Sequence, residues 1–386
     1  MRTSGIENYE EQFAWYFGRG RCFSYWKGRV ALYAILKAMG IGAGDELVLP
    51  GYTCVMNVNP IKYLGARPIY VDIEPATFNI DVALLPQKIT ADTKAIIAQH
   101  TYGYPCDMDG IMKVAEKHGV PVIEDCCLAL GSRYKGKTVG TFGKAAYFSF
   151  QWNKPYTTGL GGMVLANDSG LAERIESLRV KESCKPSKTE VLMLAAQLAA
   201  YRLFIYPATT VLAQRLFRYL TKKGAVVGSS STAEFEPKMA PDFFKTMSRL
   251  QAWSGLRQFE QIEQNVAHRR KMAALYDRLL EEKGWAPRKY DTFTMEPVMV
   301  RYPVRITEKN RALAEAAKAG VELGSWFESP LHPIRTGLEV YDYSSGMCPE
   351  AEKASREVVN LPVHPRVTER AVKKTVEFVT RFTPAG

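Results

Sequence analysis

The chain has 386 residues, 46% hydrophobic and 24% charged, an ordinary globular composition that excludes a disordered chain, a collagen-like repeat and a multi-span membrane protein. At ~150 residues per domain the length predicts two or three domains, with a core large enough to need no disulfide or metal staple. Lys and Arg outnumber Asp and Glu by 51 − 40 = 11. That balance fits a nucleic-acid binder, an anionic-membrane partner or an enzyme of phosphorylated substrates.

In chain order, the N-terminus reads MRTSGIENYEEQF. It has no apolar signal-peptide core, and a reducing cytosol is the expected compartment. Short apolar runs at 45–50 (DELVLP), 67–73 (RPIYVDI), 95–100 (AIIAQH), 120–126 (VPVIEDC), 145–150 (AAYFSF) and 162–166 (GMVLA) read as strands buried on both faces. Helical patterns at 30–39, 108–118 and 170–179 lie between them. The alternation predicts an α/β fold with a largely parallel sheet, whose ligands bind at the carboxyl ends of the strands. An apolar stretch at 191–220 follows, interrupted by Arg202, Pro207 and Arg215. It is too short between interruptions for a spanning helix, which needs ~20 residues. A loop is expected at 222–232. Leu250, Trp253, Leu256, Phe259 and Ile262 then recur every three residues and predict one long helix over 246–282. Strands (PVMVRYPVRI) and helices (NRALAEAAKAG, ERAVKKTVEFVTRF) after residue 288 predict a smaller α+β domain. The expected division is a large domain at 1–245, with an apolar insertion at about 188–232, and a helix plus small domain at 246–386.

The cysteines, Cys22, Cys54, Cys106, Cys126, Cys127, Cys184 and Cys348, form no C-x-x-C pair; neither a disulfide framework nor a zinc ladder is expected. The five histidines are far apart in sequence, so no metal site is expected. GIGAGDE at 40–46 precedes a strand, where a dinucleotide fingerprint would follow one. No Walker A, H-E-x-x-H or G-x-S-x-G is present. Basic residues are not interleaved with aromatics in a stripe, so nucleic acid is not an expected partner.

Three segments carry chemistry. In FSFQWNKPYTTGLGGMV (148–164), Lys154 falls on a loop just past a strand end. A lysine there can form a Schiff base with a carbonyl cofactor such as pyridoxal phosphate; a solvated loop lysine is the alternative. In VIEDCCLALGS (122–132) a strand ends in Glu124 and Asp125, which point to opposite faces. One such acid can hold a protonated pyridine nitrogen; a helix cap is the alternative. In SYWKGRVALYAIL (24–36), Gly28 precedes a helix. Its start would offer backbone amides to a phosphate, and Arg29 could add a fixed charge.

Together these segments resemble the DegT/StrS family of pyridoxal-phosphate-dependent sugar aminotransferases, which have the aspartate-aminotransferase fold. The likeness runs through DELVLPGYTCVMNVNPIKYLGARPIYVDIEPATFNID, AIIAQHTYGYPCDMDGI, VIEDCCLALGSRYKGKTVGTFGKAAYFSF, the lysine loop with GLGGM, MSRLQAWSGLRQFEQIEQNVAHRR, SPLHP and CPEAEKASREVVNLPVHP. The resemblance implies a large domain with a mostly parallel sheet and a smaller C-terminal α+β domain, pyridoxal phosphate as cofactor, and a homodimer with the site at its interface. It makes Lys154 the cofactor-bearing lysine and proton carrier, Asp125 the partner of the pyridinium nitrogen, and Ser149, Gly28 and Arg29 the phosphate site. His100, His332 and Tyr52 fall in segments near the substrate; for both histidines a structural hydrogen bond is the alternative.

The sequence departs from the family at five places. Leu128 replaces a glutamine that bonds the pyridine 3-hydroxyl, a contact for which Gln151 or Asn153 is a candidate substitute. Cys54 replaces the aromatic residue that stacks on the ring. Phe244 and Thr246 replace the asparagine and arginine of an N-Y-R segment, whose asparagine reaches the partner subunit's phosphate; Arg29 is expected to take over that anchor. The apolar 191–220 stretch replaces a shorter, more polar connection. It could rest on a membrane interface or pack on the protein. The implied activity is transfer of an amino group, from L-glutamate, to a nucleotide-linked keto-sugar for surface-glycan or secondary-metabolite synthesis. A non-nucleotide or lipid-linked keto substrate and a non-catalytic regulatory or scaffold role are the alternatives, while Lys154 argues against the related sugar dehydratases, which lack it.

Overall fold

The computed structural model describes residues 5–204, 235–286 and 290–385. Its centre is a seven-stranded sheet of β1 (Arg21–Tyr25), β2 (Glu46–Pro50), β3 (Arg67–Val71), β4 (Thr93–Gln99), β5 (Val122–Asp125), β6 (Ala145–Ser149) and β7 (Gly162–Ala166). The spatial order is β1-β7-β6-β5-β4-β2-β3. Strands β2 to β6 pair in parallel, and β7 is antiparallel to both β6 and β1. All six strands expected from the sequence are present. They read as unbroken apolar runs because helices cover both faces: every residue of β2, β5 and β7 is buried. Strand β1 gave no clear sequence signal.

The helices around the sheet are α1 (Gly5–Phe17), α2 (Gly28–Ala38), α3 (Val55–Tyr63), α4 (Met108–His118) and α5 (Ser169–Glu182). Local chemistry sets their ends. Asp107 accepts the Gly110 amide at the start of α4, and Gly119 ends it with φ 65°, a conformation glycine adopts without strain. Asp168 caps α5 through the Leu171 amide. Helix α2 differs: its N-cap, Lys27, is extended and supplies no side-chain cap.

The expected single helix over 246–282 is two helices, α7 (Arg249–Phe259) and α8 (Ile262–Glu281), after α6 (Lys188–Phe204). The three-residue repeat explains the break. An α-helix turns 3.6 residues per turn, so a strict step of three drifts around the axis by about 60° each time. No straight helix keeps all five side chains on one face. Trp253 is 48% exposed, whereas Phe259 and Ile262 are buried, and the chain resets between them. Ser248 and Gln251 form a reciprocal capping box at the start of α7.

Beyond α8, β8 (Arg301–Arg305) pairs antiparallel with β9 (Val358–Pro362). They are flanked by α9 (Lys309–Ala319), α10 (Pro349–Glu357) and α11 (Glu369–Val379). One apolar core runs from Leu49 and Ile97 through Tyr276 of α8 to Tyr302 and Val359, so this C-terminal layer is packed directly on the sheet layer. A two-residue strand, Leu331–His332, pairs in parallel with Thr53–Cys54 and places His332 beside Cys54. All seven cysteines are free thiols.

Candidate active site

Strands β2, β4, β5 and β6 end at one edge of the sheet, and the sequence-predicted residues gather there. Asp125 closes β5, opposite Gln99 of β4 and Tyr147 of β6. Its carboxylate is buried. Oδ2 accepts the Asn57 amide group at 2.7 Å, and Oδ1 accepts the Cys127 backbone N–H at 2.9 Å. Asn57 also donates to Thr53, which donates to Gln99. These bonds fix the orientation of the Asp125 carboxylate at the strand end.

Glu124, one residue earlier, has the opposite role. Its oxygens accept the backbone amides of Gly140, Phe142 and Gly143 at 2.6–2.8 Å and sit 3.2 Å from His100 Nε2. His100 Nδ1 accepts the Cys106 amide. Both ring nitrogens of His100 are therefore engaged in the fully buried interior. The geometry gives His100 the structural hydrogen bonds of the alternative reading, holding the loop before β6. The buried trio of His100, Glu124 and Cys126 has ligand-type atoms within 4.8 Å of one another, and its Glu124 oxygens already serve three amides.

The start of α2 rests on the β6–β7 pair. Ser149 and Gly162 are cross-strand partners. A Cβ on Gly28 would lie 2.7 Å from Ser149 Cβ, and a Cβ on Gly162 would strike the Lys27 carbonyl. Glycine at both positions lets the first helical amides approach the Ser149 hydroxyl. Arg29, the next residue, is buried. Phe244 packs within its own chain, stacked on Tyr25 and edge-on to Tyr33; Thr246 donates to the Cys184 carbonyl.

Lys154 lies in a turn after β6, its amide bonded to the Gln151 carbonyl. Gln151 is half-buried and Asn153 exposed. The chain just after the lysine is fastened at three successive residues. The Pro155 carbonyl accepts from Asn265 at 2.8 Å and from Arg269 at 3.0 Å; the Tyr156 hydroxyl bonds that of Tyr9; the Thr157 carbonyl accepts from Gln258. Arg269 also donates to the Met299 and Val300 carbonyls. Burial pushes its guanidinium down to about 9. Sequence reasoning missed Arg269, although a signal existed. It occupies the buried stripe of α8 with Ile262, Val266, Met272 and Tyr276, where a cation must have partners. Asn57 and Trp326 were also missed, and nothing local distinguishes them.

Lys154 Nζ lies 5.3 Å from the centre of the Trp326 ring. Burial pushes the Cys54 thiol up, while the charges of Lys154 and Arg29 pull it down and that of Asp125 raises it further. Cys54 thus feels all three predicted charged residues. Cys127 is likewise pushed up by burial and by Asp125. Leu128 is buried in the main apolar core. Tyr52 is fully buried, its hydroxyl 2.8 Å from that of Tyr102 and accepting the Phe327 amide. His332 Nδ1 accepts the Glu328 amide. Burial pushes His332 down to about 4 despite Glu328, with Lys309, Lys154 and Arg335 adding to the fall, so the ring is neutral at pH 7. The donor set fits pyridoxal phosphate: a helix start open enough that one Cβ would fill it, a hydrogen-bonded carboxylate at the neighbouring strand end, and a primary amine on the following turn.

The first part of the apolar insertion is helix α6. It packs Leu194 and Leu198 against Trp26 and Leu160, with Trp152, Val191 and Leu250 around them. Residues 205–232 of the insertion lie outside the described residues. Among the described residues, no helix is long and apolar enough to cross a membrane.

The family model of the DegT/DnrJ/EryC1/StrS aminotransferases matches residues 2–380. A GDP-perosamine synthase of Caulobacter vibrioides is 31% identical over 377 residues, covering 96% of this chain and 88% of that protein. A pleiotropic regulatory protein of Geobacillus stearothermophilus is 32% identical over 362 residues, covering 92% and 83%. The solved structure of an aminotransferase from Psychrobacter cryohalolentis superposes with a TM-score of 0.75 at 25% identity, covering 97% and 90%. The strand-end site and these matches agree: the chain belongs to the DegT/DnrJ/EryC1/StrS family of aminotransferases, enzymes that work with pyridoxal phosphate.

Proposed function

We propose that this aminotransferase moves an amino group from L-glutamate to the ketone of a sugar, nucleotide-linked, and that it acts as a homodimer. The observation that carries the reading is the gathering of Asp125 at the end of β5, Lys154 on the turn after β6 and the start of α2 against Ser149. The GDP-linked amino sugar in the name of the Caulobacter relative supports a sugar acceptor.

Bound pyridoxal phosphate supplies an electron sink for breaking a bond at the amino-bearing carbon. The protein does the rest. Lys154 would hold the cofactor, and its Nζ, when free, would take the proton from the donor carbon and deliver it to the cofactor, with the transfer reversed in the other half of the cycle. Its turn is set by Arg269, Asn265, Tyr9 and Gln258, which fixes the amine's path. Asp125, oriented by Asn57 and the Cys127 amide, would hold the protonated ring nitrogen. The first amides of α2, Ser149 and Arg29 hold the phosphate. Arg29 supplies from within the chain the charge that Thr246, bonded to the Cys184 carbonyl, does not.

The test is a visible absorption spectrum of purified protein before and after L-glutamate, with Lys154→Ala as control. Bleaching of the cofactor band in the wild type alone is expected. A wild type that takes up no cofactor would overturn the reading and favour the regulatory alternative, to which the name of the Geobacillus relative and the changes at Leu128 and Cys54 lend support.

A further inference from the structure

One cation near the site has no assigned task. Arg301 begins β8, and its guanidinium lies over the Trp326 ring with Cζ 5.1 Å from the centroid. The same indole lies 5.3 Å from Lys154 Nζ, so both cations are attached to one aromatic plate. Other positive groups nearby are spent. Lys309 donates to the Phe327 and Ser355 carbonyls, and Arg335 pairs with Glu328. Arg301 makes no hydrogen bond and no ion pair with any described residue. The nearest acid acting on it, Glu322, is paired with His364 at 3.1 Å.

The surroundings hold Arg301 in place without using its N–H donors. Gly324 sits against it: a Cβ there would lie 2.8 Å from Nη1. Asn360 of β9 fixes that segment, exchanging backbone hydrogen bonds with Gly324 at 2.8 and 2.9 Å and accepting the Trp326 amide on Oδ1 at 2.7 Å. The Trp326 carbonyl accepts the Tyr102 hydroxyl at 2.5 Å. Burial pushes the Arg301 guanidinium below its ordinary range; a desolvated cation with open donors is stabilised by an incoming anion. A guanidinium held over an aromatic ring keeps its N–H fork for a carboxylate.

We propose that Arg301 is the carboxylate-binding residue of the substrate site, gripping a carboxylate of the molecule that reacts beside Lys154. The assignment rests on the aminotransferase reading above and gives it a recognition element. Every amino-acid donor brings an α-carboxylate next to the reacting carbon; an acidic sugar acceptor would bring one too.

Binding of two unreactive probes, glutarate for the donor and D-glucuronate for an acidic acceptor, is measured by calorimetry on cofactor-loaded protein. The variants are Arg301→Leu and Arg301→Lys, each checked for an unchanged cofactor absorption band and thermal midpoint. The expected result is a Kd at least about tenfold weaker in Arg301→Leu for one probe, with partial recovery in Arg301→Lys. Loss with glutarate assigns Arg301 to the donor; loss with glucuronate assigns it to the acceptor. Equal Kd values in the wild type and Arg301→Leu, or no binding of either probe to the wild type, overturn the proposal. Because neither probe turns over, this outcome is separate from glutamate bleaching: a protein that bleaches without Arg301-dependent binding sinks this inference alone, and one that binds through Arg301 without bleaching sinks the glutamate reading alone.

Discussion

Replacing Gly28 with alanine tests how the phosphate end of the site is built. The added methyl would sit 2.7 Å from Ser149 Cβ, 3.1 Å from Ser149 Oγ and 3.2 Å from Ser149 Cα, against about 3.5–4.0 Å for a relaxed carbon–carbon contact. Roughly 0.8 Å must therefore be found. Ser149 cannot supply it, because it is locked in register with Gly162 between β6 and β7. The segment before Gly28 is tied as well, the Trp26 amide donating to the Lys245 carbonyl at 3.0 Å. Overpacking of this kind costs about 1–3 kcal/mol, well above the few tenths gained from alanine's higher helix propensity at a helix end. Urea denaturation of apoprotein should show the midpoint falling accordingly. Ser149→Gly in the same chain removes the two nearest atoms and should restore most of the loss. Cofactor affinity, read by titration of the visible band, should stay weakened in the double variant, which lacks the serine hydroxyl. A Gly28→Ala protein with the wild-type midpoint, or a double variant no more stable than the single one, would refute the wedge described here.

Asn57→Leu removes the 2.7 Å bond to Asp125; a hydrogen bond to a charged group is worth about 1.5–3 kcal/mol of stability, so the unfolding free energy from urea denaturation should fall by about that much. Arg29→Thr should weaken cofactor binding, and an unchanged Kd would leave the phosphate to Ser149 and the α2 amides alone. Glu124→Leu strands the buried amides of Gly140, Phe142 and Gly143 and should cost about 3 kcal/mol or more, read as a fallen thermal midpoint or insoluble protein. His332 has a folded pKa of about 4 against 6.5 for the free group, so the unfolded chain binds more protons between these values. Its contribution to stability is full above pH 6.5 and is lost as pH falls towards 4, by up to about 3 kcal/mol; His332→Phe should flatten the slope of stability against pH in that window.

Much of the sheet was legible because the physics is local. A strand buried on both faces must be apolar throughout, so β2 to β7 announced themselves, and Lys154 and Asp125 followed from standing just past or at strand ends. Local signals failed where a side chain's partner lay far along the chain. The three-residue apolar repeat at 250–262 looked like one helical face, but helical geometry cannot hold it there, and the chain breaks after Phe259. Glu124 and Asp125 were separable by alternation, yet only the fold shows that Glu124, with His100, ties down the loop at 140–143. The sequence alone determined an α/β chain with a lysine just past one strand end, an acid at another and a helix started by a glycine, because composition, periodicity and strand ends are properties of contiguous residues. The tertiary structure alone decided that Arg269 and Asn265 set the turn of Lys154, that Asn57 orients Asp125, and that Trp326 carries Lys154 and Arg301 together, because each of these joins residues 25 or more apart, and no local pattern encodes a distance across the fold.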